Sequence, residues 1–328
     1  MVAVHSTARG PSLGGCRMWT YGDSRAAVRD VLRLARAMTF KAAVAGLPLG
    51  GGKGVIMLPA GHAPPAGEER SAVLLDFGET VDLLGGAYIT AEDVGTSAAD
   101  MEVIASRTAH VKGLARERGG SGDPSPYTAL GVVTAIEVCC ERVFGTDSLE
   151  GRTVSLMGRG RVGGHLARLL AGGGAELSVT DIDASKRSLA DEIGARWVDP
   201  LEAPLLDVDV LAPCALGGVL DHESVPQLRC RVVAGAANNQ LASDDVADLL
   251  AARGILWAPD FVANAGGIIN IAVEREPGGY SEERAEERVR GIADTLRTLF
   301  DLADGGNTLR AAMDLAHQRL AEAQVAPR

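Results

Sequence analysis

The run "TVSLMGRGRVGGHLARLLAGGGAELSVTDID", residues 153 to 183, admits few folds. A short apolar strand stops at a glycine turn, an amphipathic helix follows, and a second strand ends at Asp181. Parallel strands need such a helical crossover. Further apolar runs at "VDVLAPCA", "RVVAGAAN" and "ILWAPDFV" alternate with helical stretches, which predicts a parallel, doubly wound α/β sheet. Gly158, Gly160 and Gly163 form GxGxxG directly after the strand. The first permits a tight turn, and the second lets backbone approach a pyrophosphate at the helix N-terminus, where Arg161 and Val162 also lie. Asp181 lies 23 residues beyond Gly158, near the interval of a ribose-binding acid. Its carboxylate would repel a 2′-phosphate, so the expected cofactor is NAD rather than NADP, although Arg159 and Arg161 blur the preference. A glycine-rich turn without a ligand is the bland alternative, and the strand and helix on either side weigh against it.

A second glycine run, "GLPLGGGKGVI" at residues 46 to 56, looks like a phosphate cradle and is not one. A P-loop needs glycine six positions before its lysine and Ser or Thr after it; here Leu47 and Gly54 occupy those places. Lys53 and Lys41, twelve residues apart, both sit in apolar or glycine-rich sequence, where surface lysines are uncommon. Two lysines snorkelling to solvent from the ends of elements would look the same. Asp93 in "TAEDVGT" ends a predicted strand, although many such aspartates merely cap a turn.

The rest of the chain bounds the answer. Its 328 residues suffice for two cores, and a net charge of -11 without a basic face disfavours nucleic acid and anionic membranes. Five cysteines form no CxxC pair, which fits a reducing compartment. No secretory signal or 18-residue apolar run is visible, so a cytoplasmic location is expected. The histidines are scattered, and no metal site is expected. Near residue 120 a Gly/Ser/Pro stretch precedes a long helix, with Ser125 as its expected N-cap and Pro126 at its first position. "SEERAEERVRGIADTLRTLFDLADGG" reads as one charged amphipathic helix.

"MTFKAAVAGLPLGGGKGVI", "TAEDVGT", "GGSGDPSPYTALGV", "APCALGGVL", "AGAANNQL" and "APDFVANAGGIINIA" together resemble the leucine/valine/phenylalanine dehydrogenase branch of the glutamate dehydrogenase superfamily. The resemblance implies an α/β fold of two domains with a cleft between them. Residues 1–124 would form a substrate-binding, dimerisation-type domain, 125–300 a Rossmann-type NAD-binding domain, and 301–328 a helical segment returning to the first. It assigns Lys41 to the substrate α-carboxylate, Lys53 to the general base that activates water, and Asp93 to proton exchange with the substrate nitrogen. On this reading the glycines beside Lys53 clear space for backbone to pass close to substrate and nicotinamide. Thr128 would hold the nicotinamide carboxamide and Ala215 would border the cofactor. Asn239 and Asn264 would lie beside the nicotinamide ribose and the substrate amino group; from the residues alone, both read equally as turn asparagines.

The family's glutamate-specific members place a lysine where this chain has Leu13, and the resemblance sets Leu13, Gly14 and Gly15 beside the substrate. Without that lysine a buried substrate carboxylate has no partner, so glutamate should be a poor substrate. By family position Leu13, Met38, Ala91, Ile268 and Ile271 would line the side-chain pocket, and the isoleucines favour valine, leucine or isoleucine over phenylalanine. The implied reaction is the reversible, NAD-dependent oxidative deamination of a branched-chain L-amino acid to the 2-oxo acid and ammonia, by a homo-oligomer, dimer or higher. Phenylalanine, tryptophan or an unusual amino acid is the alternative within the same chemistry, and a non-catalytic NAD-binding regulatory protein is the alternative outside it. Most family members carry further residues before the first strand that contribute to subunit contacts, so the short start leaves the subunit number open.

Overall fold

The computed structural model describes residues 1–325, whose strands fall into two sheets, one of four strands and one of six. Each sheet belongs to its own compact unit. The first unit comprises Met1–Asp123, Ile271–Glu282 and the stretch from Ala316; the second comprises Pro124–Asn270 and Glu283–Leu315.

The first unit holds β1 (Val2–Ser6), β2 (Ser12–Thr20), β3 (Gly50–Leu58) and β4 (Tyr88–Glu92), in the order β1-β3-β2-β4. Strand β2 runs parallel to both its neighbours, and β1 closes one edge antiparallel to β3. The helices here are α1 (Ser24–Val44), α2 (Gly67–Asp82) and α3 (Ala98–Ala105). Asp23 starts α1 by accepting the Ala26 N–H at 2.7 Å, an N-cap that satisfies one of the helix's orphan donors. Ala27, Val31, Ala35 and Thr39 then recur at helical spacing as its buried stripe. On α2 and α3, Leu74, Phe77, Val81, Met101 and Ile104 pack with Cys16, Met18, Ile56, Leu58 and Tyr88 of the strands.

Strand β3 begins at Gly50, so the run around Lys53 is the middle of a sheet and not a loop. A Cβ on Gly51 would lie 2.1 Å from the Thr39 nitrogen of α1, one on Gly52 2.7 Å from the Tyr88 ring, and one on Gly54 2.5 Å from the Phe77 ring. These glycines admit a helix and two aromatic rings onto the strand. The expectation that they clear space for ligands is corrected accordingly: the surrounding protein fills that space.

In the second unit β5 (Thr153–Met157), β6 (Glu176–Thr180), β7 (Arg196–Trp197), β8 (Val210–Pro213), β9 (Val232–Val233) and β10 (Leu256–Trp257) form a parallel sheet in the order β10-β9-β8-β5-β6-β7. The order reverses between β5 and β8, the switch point at which doubly wound sheets bind dinucleotides. The helices after residue 124, in chain order and whichever unit they belong to, are α4 (Ser125–Phe144), α5 (Arg161–Gly172), α6 (Arg187–Glu192), α7 (Val246–Ala252), α8 (Asp260–Ala263), α9 (Gly266–Val273), α10 (Glu282–Arg290), α11 (Ile292–Ala303) and α12 (Thr308–Val325). Among the described residues no helix is long and apolar enough to cross a membrane.

Three details differ from the sequence reading. Pro124, not Ser125, occupies the N-cap of α4; its carbonyl already accepts the Thr128 N–H at 2.9 Å, which draws Ser125 into the helix. The segment expected as one helix after Ser281 is two, α10 and α11, divided at Gly291, where glycine lowers helix propensity by about 1 kcal/mol. Finally, Ile271–Glu282 belongs to the first unit and residues 301–315 to the second. Glu274 ties the former in place by accepting the Gly113 and Ser121 N–H groups at 2.9 and 2.8 Å.

Close packing of Gly51 against backbone leaves no room for a methyl group. Gly51→Ala is expected to lower the unfolding free energy by about 2 kcal/mol or more, while Gly22→Ala, where an added Cβ meets nothing within 4 Å, stays within about 0.5 kcal/mol of the parent. Urea denaturation of both variants measures the difference.

Candidate active site

Because β2 lies between β3 and β4, the residues carried by these two strands approach each other across it. Lys53, in the middle of β3, is only 5% exposed. Asp93 follows the last residue of β4. The two meet with Lys53 Nζ 2.7 Å from Asp93 Oδ2. Gly14 and Gly15 of β2 make this approach possible. A Cβ on Gly14 would lie 1.8 Å from the Gly52 oxygen, and one on Gly15 would lie 2.7 Å from the Asp93 Cβ. Both glycines, expected beside substrate, have immediate surroundings of β3 and β4 backbone.

Arg17, which the sequence reading did not single out, completes the cluster. Its Nε lies 3.1 Å from Asp93 Oδ2, the oxygen that also meets Lys53, and its Nη1 lies 3.0 Å from Asp30 Oδ2 on α1. Tyr21 donates its hydroxyl to the same Asp30 oxygen at 2.7 Å, and Arg33 holds the other at 2.8 Å. Burial pushes the Asp93 carboxyl up, but the charge and hydrogen bond of Lys53, with Arg17, outweigh it and hold the carboxyl below its ordinary value of 3.8. Burial pushes the neighbouring Cys16 thiol up to about 12, so it stays neutral.

The loop after Asp93 is tied at both ends. Asp93 donates its N–H to Thr96 Oγ1 at 3.0 Å, and the Thr96 hydroxyl donates to the Cys16 carbonyl at 2.8 Å. Arg70 grips Asp100 through Nε and Nη2 at 2.7 and 2.8 Å, and Nη2 also donates to the Gly95 carbonyl. Lys41 sits half-buried in the last turn of α1, the helix whose Thr39 packs on Gly51. Of the expected pocket residues, Leu13 and Ala91 are buried on β2 and β4, and Met38 is half-buried on α1. Ile268 and Ile271 are both buried on α9, Ile268 counted with the second unit and Ile271 with the first.

In the second unit the three turn glycines have three different reasons. Gly158 has φ 98°, a conformation that favours glycine. A Cβ on Gly163 would lie 2.1 Å from the Gly158 oxygen, whereas one on Gly160 would meet nothing within 4 Å. Gly163 thus lets α5 pack on the turn, and Gly160 keeps a face open beside the N-terminus of α5, which has no side-chain cap. That combination fits a pyrophosphate. Asp181, 9% exposed, accepts the Arg159 N–H at 2.6 Å, the Asp183 N–H at 2.9 Å and the Lys186 ammonium at 3.0 Å. Burial pushes its carboxyl up, and these donors more than reverse that.

Ala215, exposed beyond β8, borders the Gly158 turn, where a Cβ on Gly158 would come within 2.6 Å of the Ala215 Cβ. Arg161 is exposed at the start of α5, and Val162 beside it is half-buried. Thr128 donates its hydroxyl to the Pro124 carbonyl at 3.0 Å, which leaves its oxygen lone pairs to accept. Asn239 is exposed with φ 53°. Asn264 is 4% exposed and donates to the Ala236 carbonyl and to Asn238 Oδ1 at 3.1 and 2.8 Å, while its own Oδ1 is buried without a hydrogen-bond partner. Among the described residues no group of three or more His, Cys, Asp and Glu could hold a metal ion.

Two family models match the chain. Residues 1–110 match the Glu/Leu/Phe/Val dehydrogenase dimerisation domain, and residues 179–326 match the Glutamate/Leucine/Phenylalanine/Valine dehydrogenase domain. The chain is 44% identical to a leucine dehydrogenase of Geobacillus stearothermophilus over 98% of this chain and 86% of that one. It is 43% identical to a valine dehydrogenase of Streptomyces virginiae over 99% and 90%. The crystal structure of L-tryptophan dehydrogenase from Nostoc punctiforme superposes with a TM-score of 0.83 at 38% identity, covering 99% of this chain and 92% of that one.

Asp30, Asp93 and Asp100 all keep carboxyls below 3.8 because their cationic and hydrogen-bonding partners outweigh burial. Such groups stabilise the fold above the unfolded value, and the contribution is lost as pH falls through the depressed folded values. Unfolding free energy is therefore expected to fall steeply below about pH 4. Arg70→Met should cost about 2 kcal/mol at neutral pH and less in acid, where Asp100 is protonated in both states. Urea unfolding across this pH range measures it, and an equal loss at every pH would contradict the assignment.

Proposed function

The chain belongs to the Glu/Leu/Phe/Val dehydrogenase family and is an amino acid dehydrogenase, and from that premise we propose that it catalyses the reversible, NAD-dependent oxidative deamination of a branched-chain L-amino acid. The observation that carries this reading is the Lys53–Asp93 pair, 2.7 Å apart with Lys53 almost out of reach of water. A buried base and a carboxylate in hydrogen-bond contact are what proton chemistry at an amino carbon needs. We assign substrate binding and proton transfer to the first unit and dinucleotide binding to the second.

When bound, the nicotinamide accepts the α-hydrogen of the amino acid as a hydride. The chain's own residues do the rest. Lys41 holds the α-carboxylate by its charge, and Asp93 takes a proton from the substrate ammonium. Lys53, in its neutral form, takes a proton from water as the oxygen adds to the imino carbon. Asp93 then returns its proton to the nitrogen, and as the carbon–nitrogen bond breaks and ammonia leaves, the hydroxyl proton passes to the freed Asp93 carboxylate and the carbonyl of the 2-oxo acid forms. Gly158, Gly160, Gly163, Val162 and Arg161 would hold the pyrophosphate, with Ala215 beside them, and Thr128 and Asn239 would hold the nicotinamide portion. The buried Asn264 Oδ1 accepts a ligand N–H.

Two preferences follow from the side chains. Leu13, Met38 and Ala91 offer an apolar substrate side chain a match and leave the carboxylate of glutamate without a counter-charge. Asp181 accepts the ribose 2′-hydroxyl and disfavours a 2′-phosphate, so NAD is the cofactor, although Lys186 beside it offsets part of that charge. The dimerisation domain and the open edge of β1 support a homo-oligomer, and five free cysteines support a reducing cytoplasm.

A panel of L-amino acids assayed for reduced cofactor at 340 nm, with NAD and with NADP, tests the reading. L-Leucine, L-valine and L-isoleucine should be oxidised with overlapping kcat/KM, within about 100-fold of one another, glutamate poorly, and NAD should be preferred. Tryptophan or phenylalanine as the best substrate moves the specificity within the same chemistry. NAD binding by calorimetry without turnover of any amino acid overturns the reading in favour of a non-catalytic protein.

A further inference from the structure

None of the roles above uses Arg17, yet it is bound into the site through two carboxylates. It lies on β2, half-buried, and its planar guanidinium spans two elements: Nε meets Asp93 after β4, and Nη1 meets Asp30 on α1. Asp30 is itself fixed by Tyr21 and Arg33. Lys53 and Arg17 thus share one carboxylate oxygen, Asp93 Oδ2, and they differ in one respect. Lysine can give up its proton, whereas arginine cannot.

The reaction proposed above, on which this inference rests, requires Lys53 to be neutral when it takes a proton from water. Before that step, while Asp93 is still ionised and ready to take the proton of the substrate ammonium, a neutral Lys53 leaves this partly buried carboxylate without its lysine counter-charge, which is costly. Arg17 supplies the charge that does not leave. We propose that Arg17 is the permanent counter-charge of the proton relay and its positioning residue, keeping Asp93 aimed at Lys53 Nζ and ionised until it takes the substrate's proton, whichever protonation state the lysine holds. Two uncharged neighbours cannot take its place. Cys16 on β2 and Tyr88 on β4 are both kept neutral by burial, and the Val94 N–H, which also donates to the carboxylate, carries no net charge.

The test combines a readout without turnover and one with it. In protein labelled with carbon-13 at the aspartate carboxyls, the Asp93 titration midpoint should move to higher pH in Arg17→Met and return toward the parent in Arg17→Lys. In turnover, Arg17→Met should lower kcat by about 10- to 100-fold with the amino acid KM within about threefold, and the solvent isotope effect on kcat should rise as proton transfer becomes limiting. Asp30→Asn should have a smaller effect in the same direction, and Arg17→Met combined with Asp30→Asn should be no worse than Arg17→Met alone, because Asp30 acts only through Arg17. An unmoved Asp93 midpoint in a folded Arg17→Met, or additive losses in the double variant, would overturn the proposal. A parent that oxidises no amino acid would remove the proposed reaction, while the titration would still decide the role of Arg17.

Discussion

An ammonium in the middle of a β-sheet is the constraint from which the first unit follows. Lys53 is 5% exposed, and moving such a charge out of water costs several kcal/mol unless an opposite charge meets it. Asp93 does so at 2.7 Å. For a carboxylate after β4 to reach a lysine on β3, the strand between them must be nearly without side chains at that level. Gly14 and Gly15 provide this, and Gly51, Gly52 and Gly54 let α1, Tyr88 and Phe77 seal the opposite sides. The seal keeps water away and so strengthens the ion pair it surrounds.

The second unit uses glycine for a different end. There one glycine turns the chain, one lets α5 settle on the turn, and only Gly160 leaves open space. Protein thus occupies the place of the missing side chain at Gly51, Gly52 and Gly54, whereas in the later run Gly160 leaves that place open beside a helix N-terminus.

Much of this is legible in the sequence, for local reasons. The order strand, glycine turn, helix, strand after Thr153 is a contiguous pattern, and the parallel sheet it predicts has the order β10-β9-β8-β5-β6-β7. Lys53 and Asp93 stand out because charged residues in glycine-rich or apolar company demand an explanation. Arg17 does not stand out: it is one arginine on a strand, and its partners lie 13 residues away at Asp30 and 76 away at Asp93. Only the placement of β2 between β3 and β4 brings them together, and no local pattern specifies it. The glycines around Lys53 are illegible for the same reason, since what fills their space comes from α1, α2 and β4. The N-cap of α4 was missed by one residue, as helix ends commonly are.

The central claim is that Asp93 is the proton-carrying carboxylate of a site held together by its ion pair with Lys53. Asp93→Asn keeps the shape and removes only the charge and the ability to exchange a proton. Its kcat/KM for L-leucine, measured beside NAD binding by calorimetry, tests the claim most directly. The account predicts a loss of at least about 100-fold in kcat/KM with NAD affinity unchanged. Activity retained within a few-fold of the parent would contradict it.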